Sequence, residues 1–158
     1  HEAECVIAGP NGIREIPVEK MCVGPGKNAM DEGEFLVSIK LPLKNSSFSA
    51  SYERFIPRNE MDIAVAAVAS SVSLENGKIS SCRIALAAVG PTPIYAEEAS
   101  KLLIGKEPSE ENIKNASNKA KELASPISDM RGTVEHRKDL IEVLTRRTLS
   151  KAVERVGV

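Results

Sequence analysis

The amino-acid sequence predicts an α+β fold in which a small antiparallel β-sheet packs against three α-helices. Strand-like patterns occupy the chain as far as Val89 and helical patterns follow, whereas an α/β fold would alternate the two. The dipeptide Asn76-Gly77 joins two long apolar runs, and both residues tolerate the positive φ angles of a tight hairpin turn. These two observations favour antiparallel strands followed by a layer of helices.

Composition limits the class of protein before any motif is considered. The 158 residues are 42% apolar, enough for one or two small domains with a core. A net charge of −1 and an aromatic content of 3%, without tryptophan, argue against nucleic-acid surfaces. No apolar run approaches the ~20 residues that span a bilayer, and no signal peptide is visible.

The cysteines and the first residue bear on location and completeness. Cys5, Cys22 and Cys82 are widely spaced and include no Cys-x-x-Cys pair. We therefore expect three free thiols in a reducing compartment, which predicts a cytoplasmic protein. Because His1 rather than methionine comes first, we expect a processed chain or a fragment.

The first elements are short strands joined by turns. Residues 3–8 form the first predicted strand, and the turn signal Gly9-Pro10-Asn11-Gly12 precedes a second strand at 13–18, which Pro17 marks as an edge. Residues 21–28 are predicted as a loop. Residues 34–41 alternate as a further strand that Pro42 closes.

A polar segment after Lys44 separates two parts, so we predict domains over 1–44 and 45–158. The second domain opens with a strand at 48–56. The runs at 63–74 and 79–89 are almost continuously apolar and should form the central hairpin of a sheet. Both runs are rich in small side chains, which we expect to leave room for closely packed helices. These alanines are Ala64, Ala66, Ala67, Ala69, Ala85, Ala87 and Ala88.

Three helices complete the second domain. The first is predicted over 96–104, where Gly105 stops it. The second begins after Ser109, a good N-cap, and ends before Pro126. The third runs over 134–156. Their apolar stripes are Ile113, Ala116, Ala120 and Leu123 in the second helix, and Ile141, Leu144, Leu149, Ala152, Val153 and Val156 in the third.

Common catalytic and metal-binding motifs are not matched. Gly24-Pro25-Gly26-Lys27 lacks the first glycine and the Ser or Thr of a phosphate-binding loop, so we interpret it as a plain turn. The two histidines, His1 and His136, have no Cys or carboxylate partners at ligand spacing, which argues against a metal site. A Ser-His-Asp triad is disfavoured because His136 lies in a highly charged first helical turn. We assign no catalytic residue.

Two charged groups remain candidates for binding. Arg54, Arg58 and Asp62 flank the most apolar strand, where a guanidinium could hold a phosphate or carboxylate. The alternative is a salt bridge at the strand edge with Glu53 or Glu60.

The turn before the third helix is the second candidate. Asp129 and Arg131 could bind an anion, but a structural role is favoured: Asp accepting backbone N–H groups, Arg cross-linking carbonyls and Gly132 permitting a positive φ.

Four segments, in order, resemble the FAD-binding medium subunits of the molybdenum hydroxylases, the group of xanthine dehydrogenase and aerobic carbon monoxide dehydrogenase. They are 9–42, which includes G-E-F-L-V-S-I-K-L-P; 58–64, R-N-E-M-D-I-A; 85–93, A-L-A-A-V-G-P-T-P; and 126–137, with a Pro-x-x-Asp-x-Arg-Gly turn. Two departures are conservative: Thr133 stands where Ser is usual in the family, and His136 where Tyr is usual.

The resemblance implies that 1–44 is the incomplete end of a flavin-binding domain and that 45–158 is the C-terminal domain of the subunit. The Gly-rich loops that cradle the flavin pyrophosphate would precede His1, so this chain alone should not retain FAD. By matched position, Leu36 and Arg54 would contact the flavin. The first 41 residues should be a poorly supported remnant, able to self-associate through exposed strand edges.

The resemblance further implies partners and a reaction. A molybdenum-cofactor large subunit and an iron–sulfur small subunit would pass electrons through FAD to NAD or another acceptor. The chain alone should be inactive. One alternative is a purely structural scaffold or subunit interface without flavin contact. Another is an autonomous small-molecule-binding domain, which a deep pocket lined by the alanine-rich strands would indicate.

Overall fold

Antiparallel strands and three helices build this protein, seen in a computed structural model that describes residues 1–58 and 61–156. The predicted α+β class is confirmed. Contacts divide the chain into two units, His1–Leu43 and Lys44–Val158. Within the described ranges, no helix combines the length and apolar character needed to cross a membrane.

The first unit is built around a three-stranded sheet. Strands β1 (Glu4–Gly9) and β2 (Gly12–Pro17) form a hairpin, and the later strand β5 (Phe35–Lys40) pairs with the other side of β1. The order is β2-β1-β5, so β2 is an edge strand, as Pro17 predicted, and β5 is the other edge.

The predicted loop at 21–28 is wrong in part, because it contains a small hairpin. Strands β3 (Cys22–Gly24) and β4 (Lys27–Asn28) pair there. Gly26 supplies the positive φ of +66° that the tight turn between them requires. The interpretation of residues 24–27 as a plain turn is confirmed.

One ion pair ties strand β2 to the segment that leads into β5. The Arg14 guanidinium donates to both carboxylate oxygens of Glu34, at 2.7 and 2.6 Å, and to the Ala29 carbonyl at 2.7 Å. This paired geometry and the Asp31 amide hold the pKa of Glu34 down at about 2.

The second unit contains a four-stranded sheet in the order β6-β7-β8-β9. The strands are β6 (Phe48–Phe55), β7 (Ala66–Glu75), β8 (Lys78–Ala87) and β9 (Ile94–Tyr95). The predicted Asn-Gly hairpin is confirmed at the centre of the sheet, with φ angles of +52° at Asn76 and +75° at Gly77.

Three helices follow, α1 (Glu97–Lys101), α2 (Glu110–Leu123) and α3 (Val134–Glu154). The side chain of Ser109 caps α2, as predicted, by accepting the Asn112 amide at 3.3 Å.

The first helix is shorter than predicted. Instead of continuing to residue 104, the chain turns back to β8, where the Gly105 amide donates to the Ile79 carbonyl at 2.8 Å and the Ile79 amide to the Lys106 carbonyl at 2.9 Å. Before this pairing, residues 102–104 form tighter turns, in which the Leu103 amide donates to the Ser100 carbonyl at 3.2 Å and the Ile104 amide to the Lys101 carbonyl at 3.3 Å. Gly105 still ends the segment with a φ of +78°.

The core of the second unit lies between one face of the sheet and the helices. Side chains of β7 and β8 that alternate onto this face meet the apolar stripes of α2 and α3. Its fully buried large side chains include Val68, Val72, Ile79, Ile84, Leu86, Leu103, Ile141 and Leu149. A buried hydroxyl pair, Ser70 with Thr148 at 2.8 Å, joins β7 to α3 within this core.

Candidate functional site

The sheet of the second unit has a face that points away from the helices. Register places Arg54 opposite Ala67, and Ala67 opposite Ala87, in one row across β6, β7 and β8. Their neighbours in sequence, such as Val68 and Leu86, belong to the core. Because strand side chains alternate between faces, Arg54 lies on the face opposite the helices.

This open face carries small side chains between larger ones. The part of it around Arg54 carries Tyr52, Ala67, Ala69, Ala85 and Ala87. The prediction that the alanines make room for helices is therefore wrong for these four, because register turns them the other way. Ala67 is only 1% exposed, whereas Ala85 is exposed, so only part of this face is accessible to a ligand.

Arg54 is exposed, and it forms no hydrogen bond or ion pair with any residue that the structure describes. The predicted alternative, a salt bridge to Glu53, is wrong. Glu53 points to the helix side and pairs with Lys151 of α3 at 2.7 Å. The other suggested partner, Glu60, lies with Asn59 outside the described residues. The guanidinium donors of Arg54 are therefore unused among the described residues.

Arg58 and Asp62 contact each other. The Arg58 guanidinium donates to the Met61 carbonyl at 2.7 Å, and its Nε lies 3.7 Å from Asp62 Oδ2. Asp62 Oδ1 also accepts the Ile63 amide at 2.8 Å. The salt-bridge interpretation holds for Arg58 with Asp62 as the partner, so Arg58 is less suited than Arg54 to bind an anion.

Leu36 lies in the first unit, on edge strand β5, where it pairs with Ile7 of β1. Its side chain is 39% exposed. The outer edge of β5 has no strand partner within the described part of the chain. A ligand at this edge would meet both an apolar side chain and backbone hydrogen-bonding groups.

The turn before α3 is held by Asp129, as the sequence suggested. Its Oδ1 accepts the Arg131 amide at 2.8 Å, and its backbone exchanges hydrogen bonds with Gly132 at 3.1 and 3.2 Å. The role predicted for Arg131 is wrong, because its side chain is exposed and the cross-link comes from Arg137. Gly132 has no positive φ; an added Cβ would instead lie 3.1 Å from His136 Cδ2.

Arg137 is the residue that sequence reasoning missed. It is only 5% exposed, and it donates to Asp129 Oδ1 at 2.6 Å, to the Val65 carbonyl at 2.9 Å and to the Ala88 carbonyl at 3.4 Å. One signal could have found it. Arg137 precedes Ile141 by one helical turn, so it falls on the buried stripe of α3.

The Asp129–Arg137 pair predicts a pH dependence. The Arg137 guanidinium, with the Arg131 amide, holds the pKa of Asp129 below its ordinary value of 3.8. A carboxyl whose pKa is lowered by folding stabilises above its unfolded pKa, and this contribution is lost as the pH falls through the folded pKa. We expect the stability of the second unit to fall below about pH 4.

Urea unfolding at pH 6 and pH 3, for the natural chain and for Asp129→Asn, measures this effect. Tyrosine fluorescence is a suitable signal because Tyr52 and Tyr95 both lie in the second unit and the chain has no tryptophan. The asparagine variant should lose less stability between the two pH values. An equal loss in both proteins would contradict the assignment.

Among the described residues, cysteines and carboxylates do not gather into a metal-binding cluster. The three cysteines are free thiols, and burial raises the pKa of the Cys82 thiol to about 12. Over residues 1–58 and 61–156, no cluster of three or more His, Cys, Asp or Glu is placed to hold a metal ion. An open groove of about 770 Å³ is lined by β6, α2 and α3, and none of the alanines of the open face lines it.

Comparison with known proteins identifies the family. Residues 51–152 match the CO dehydrogenase flavoprotein C-terminal domain. The chain is 32% identical to the carbon monoxide dehydrogenase medium chain of Afipia carboxidovorans, over 94% of the chain and 51% of that protein. It is 27% identical to the xanthine dehydrogenase FAD-binding subunit of Escherichia coli O157:H7, over 99% of the chain and 54% of that protein.

A solved structure agrees over both units. Carbon monoxide dehydrogenase from Hydrogenophaga pseudoflava, in a form that lacks the Mo-pyranopterin moiety of the molybdenum cofactor, matches with a TM-score of 0.93 and 31% identity. The match covers 98% of this chain and 54% of that one, so the chain spans about half the length of the relatives it matches. The resemblance carried by the four sequence segments is confirmed, and the chain belongs to the family of CO dehydrogenase flavoprotein C-terminal domains.

Proposed function

We propose that this chain is part of the FAD-binding subunit of a molybdenum-hydroxylase-type dehydrogenase. The observation that carries the proposal is the likeness of nearly the whole chain to a carbon monoxide dehydrogenase structure at a TM-score of 0.93. The family match and a relative named as an FAD-binding subunit support it. In this proposal, residues 1–44 complete a flavin-binding domain and 45–158 cover one side of the flavin.

The proposed role of the intact subunit is electron transfer. Electrons from a molybdenum-cofactor large subunit would pass through an iron–sulfur small subunit to FAD, and from there to NAD or another acceptor. FAD, when bound, exchanges one or two electrons and so supplies the redox chemistry. The residues of this chain would bind and orient the flavin and exclude water from it. Three free thiols fit a reducing compartment such as the cytoplasm.

The residues present fit an accessory contact with FAD. Arg54 offers an exposed guanidinium on a face of small side chains, and Leu36 offers an apolar side chain at an open strand edge. The Gly-rich segment at 24–27 is a hairpin turn rather than a phosphate cradle. We therefore propose that the chain alone does not hold FAD tightly.

Exposed apolar side chains on β5 support the placement of residues 1–44 in a larger domain. Phe35, Val37 and Ile39 of β5 and Leu41 just after it are each more than half exposed. An edge strand with this much apolar surface is normally covered, because it otherwise pairs with other molecules. The isolated chain is accordingly expected to self-associate through β5.

Arg54→Ala in the full-length subunit tests the flavin contact. We expect FAD to bind about tenfold more weakly, the loss that accompanies one hydrogen bond to a charged group. Flavin absorbance after purification and titration of the apoprotein with FAD measure the effect. Arg147→Ala is the matched control, since Arg147 is an exposed arginine on α3.

The control variant should bind FAD like the natural subunit. If Arg54→Ala also leaves the affinity unchanged, the contact is refuted and the scaffold alternative gains support. Titration of the 158-residue chain itself provides a second check. Tight binding by this chain would contradict the need for the rest of the subunit.

A further inference from the structure

The first turn of α3 contacts both ends of the connection between β6 and β7. The connection leaves β6 at Phe55 and ends at Val65, and the Val65 amide donates to the Phe55 carbonyl at 2.9 Å. His136 and Arg137, adjacent in α3, each reach one of these two residues. Both ends of the connection are therefore fixed to a single helical turn.

The two contacts differ in kind. The His136 ring meets the Phe55 ring edge to face, with centroids 6.0 Å apart. The Arg137 guanidinium donates to the Val65 carbonyl at 2.9 Å in a buried position. Gly132 leaves space for this arrangement, because an added Cβ would lie 3.1 Å from His136 and 3.8 Å from Val65.

Arg137 is itself fixed in place from two further directions. Asp129 accepts its Nη2 at 2.6 Å, and the carbonyl of Ala88, just after β8, accepts Nη1 at 3.4 Å. Ala88 has a φ of +63°, a conformation that side-chain-bearing residues adopt only under constraint. The planar fork of arginine can reach three acceptors in this way, which the single nitrogen of lysine cannot match.

We infer that Arg137 and His136 are positioning residues for Arg54. Arg54 directly precedes Phe55, so the end of β6 that α3 holds is also the segment that carries the Arg54 guanidinium. The position of the Arg54 guanidinium on the open face then depends on the first turn of α3, which lies on the other side of the sheet. The consequence for FAD rests on the proposed function, whereas the effect on the strand ends does not.

Arg137→Lys in the full-length subunit tests this inference with two measurements. We expect FAD affinity to fall by about three- to tenfold, the cost of ordering the end of β6 on binding once α3 no longer holds it. We also expect faster hydrogen exchange at the Val65 amide, which closes the connection. His136→Ala should speed exchange at the same amide, and His136→Phe should restore slow exchange because it keeps a ring against Phe55.

Thr148→Val is the matched control. Thr148 lies on the same helix as His136 and Arg137, and the substitution removes its buried hydrogen bond to Ser70 of β7 but leaves the contacts of His136 and Arg137 intact. It should destabilise the unit without changing FAD affinity. Equal losses of affinity in Thr148→Val and Arg137→Lys would overturn the inference, since general destabilisation would then explain both.

The outcomes separate this inference from the flavin contact. If Arg54→Ala weakens FAD binding and Arg137→Lys does not, the positioning role is refuted while the proposed contact stands. If Arg54→Ala has no effect, the flavin contact is refuted and the exchange measurement decides the positioning role. Unchanged exchange at Val65 in both Arg137→Lys and His136→Ala would overturn it.

Discussion

Arg137→Met is expected to lower the free energy of unfolding of the second unit by about 3 kcal/mol, the lower end of the cost of breaking a buried ion pair. Arg137 is 5% exposed, and its guanidinium donates to one carboxylate and two backbone carbonyls. Methionine fills similar space but leaves the Val65 and Ala88 carbonyls short of a donor. The low end applies because the Asp129 side chain is 33% exposed and can regain water.

Urea unfolding followed by tyrosine fluorescence measures this loss, because both tyrosines lie in the second unit. Arg146→Met is the control: this arginine lies on the same helix but is exposed. The control should change stability by no more than about 0.5 kcal/mol. A loss of similar size in both variants would show that Arg137 does not connect the strands to α3.

Local signals in the sequence predicted the elements that depend on neighbouring residues. Asn76-Gly77 specifies its hairpin by its own φ preferences, and Ser109 caps α2 through a residue three positions later. The predicted end of α1 was wrong. The chain beyond this helix pairs through Gly105 with Ile79, which is far away in sequence. The helix propensity of a short stretch of sequence carries no information on a partner so far away.

In the candidate site, too, some features can be predicted from the sequence and others depend on the folded structure. Arg54 and Leu36 were predicted through a family resemblance, and in the sequence Arg54 lies close to the start of an apolar strand. Which face of the sheet Arg54 occupies depends on the pairing register with Ala67 and Ala87, which only the folded sheet provides. Arg137 was missed because its acceptors, such as the Ala88 carbonyl, are brought to it by tertiary packing.

Leu149→Ala is expected to lower the free energy of unfolding of the second unit by about 3 kcal/mol, because it removes apolar contacts and leaves a cavity. Leu149 is 0% exposed and belongs to the cluster between the sheet and the helices. Its helix packs against both β6 and β7. A rigid sheet on one side limits how far the cavity can close.

Val143→Ala is the matched control for this truncation. Val143 lies on the same helix but is 37% exposed, so its loss should cost less than about 1 kcal/mol. Both variants shorten an aliphatic side chain of the same helix, so they differ mainly in how deeply that side chain is buried. If the two variants lose equal stability, α3 does not bury the stripe that contains Leu149. The packing of α3 against the end of β6 that carries Arg54 would then be contradicted as well.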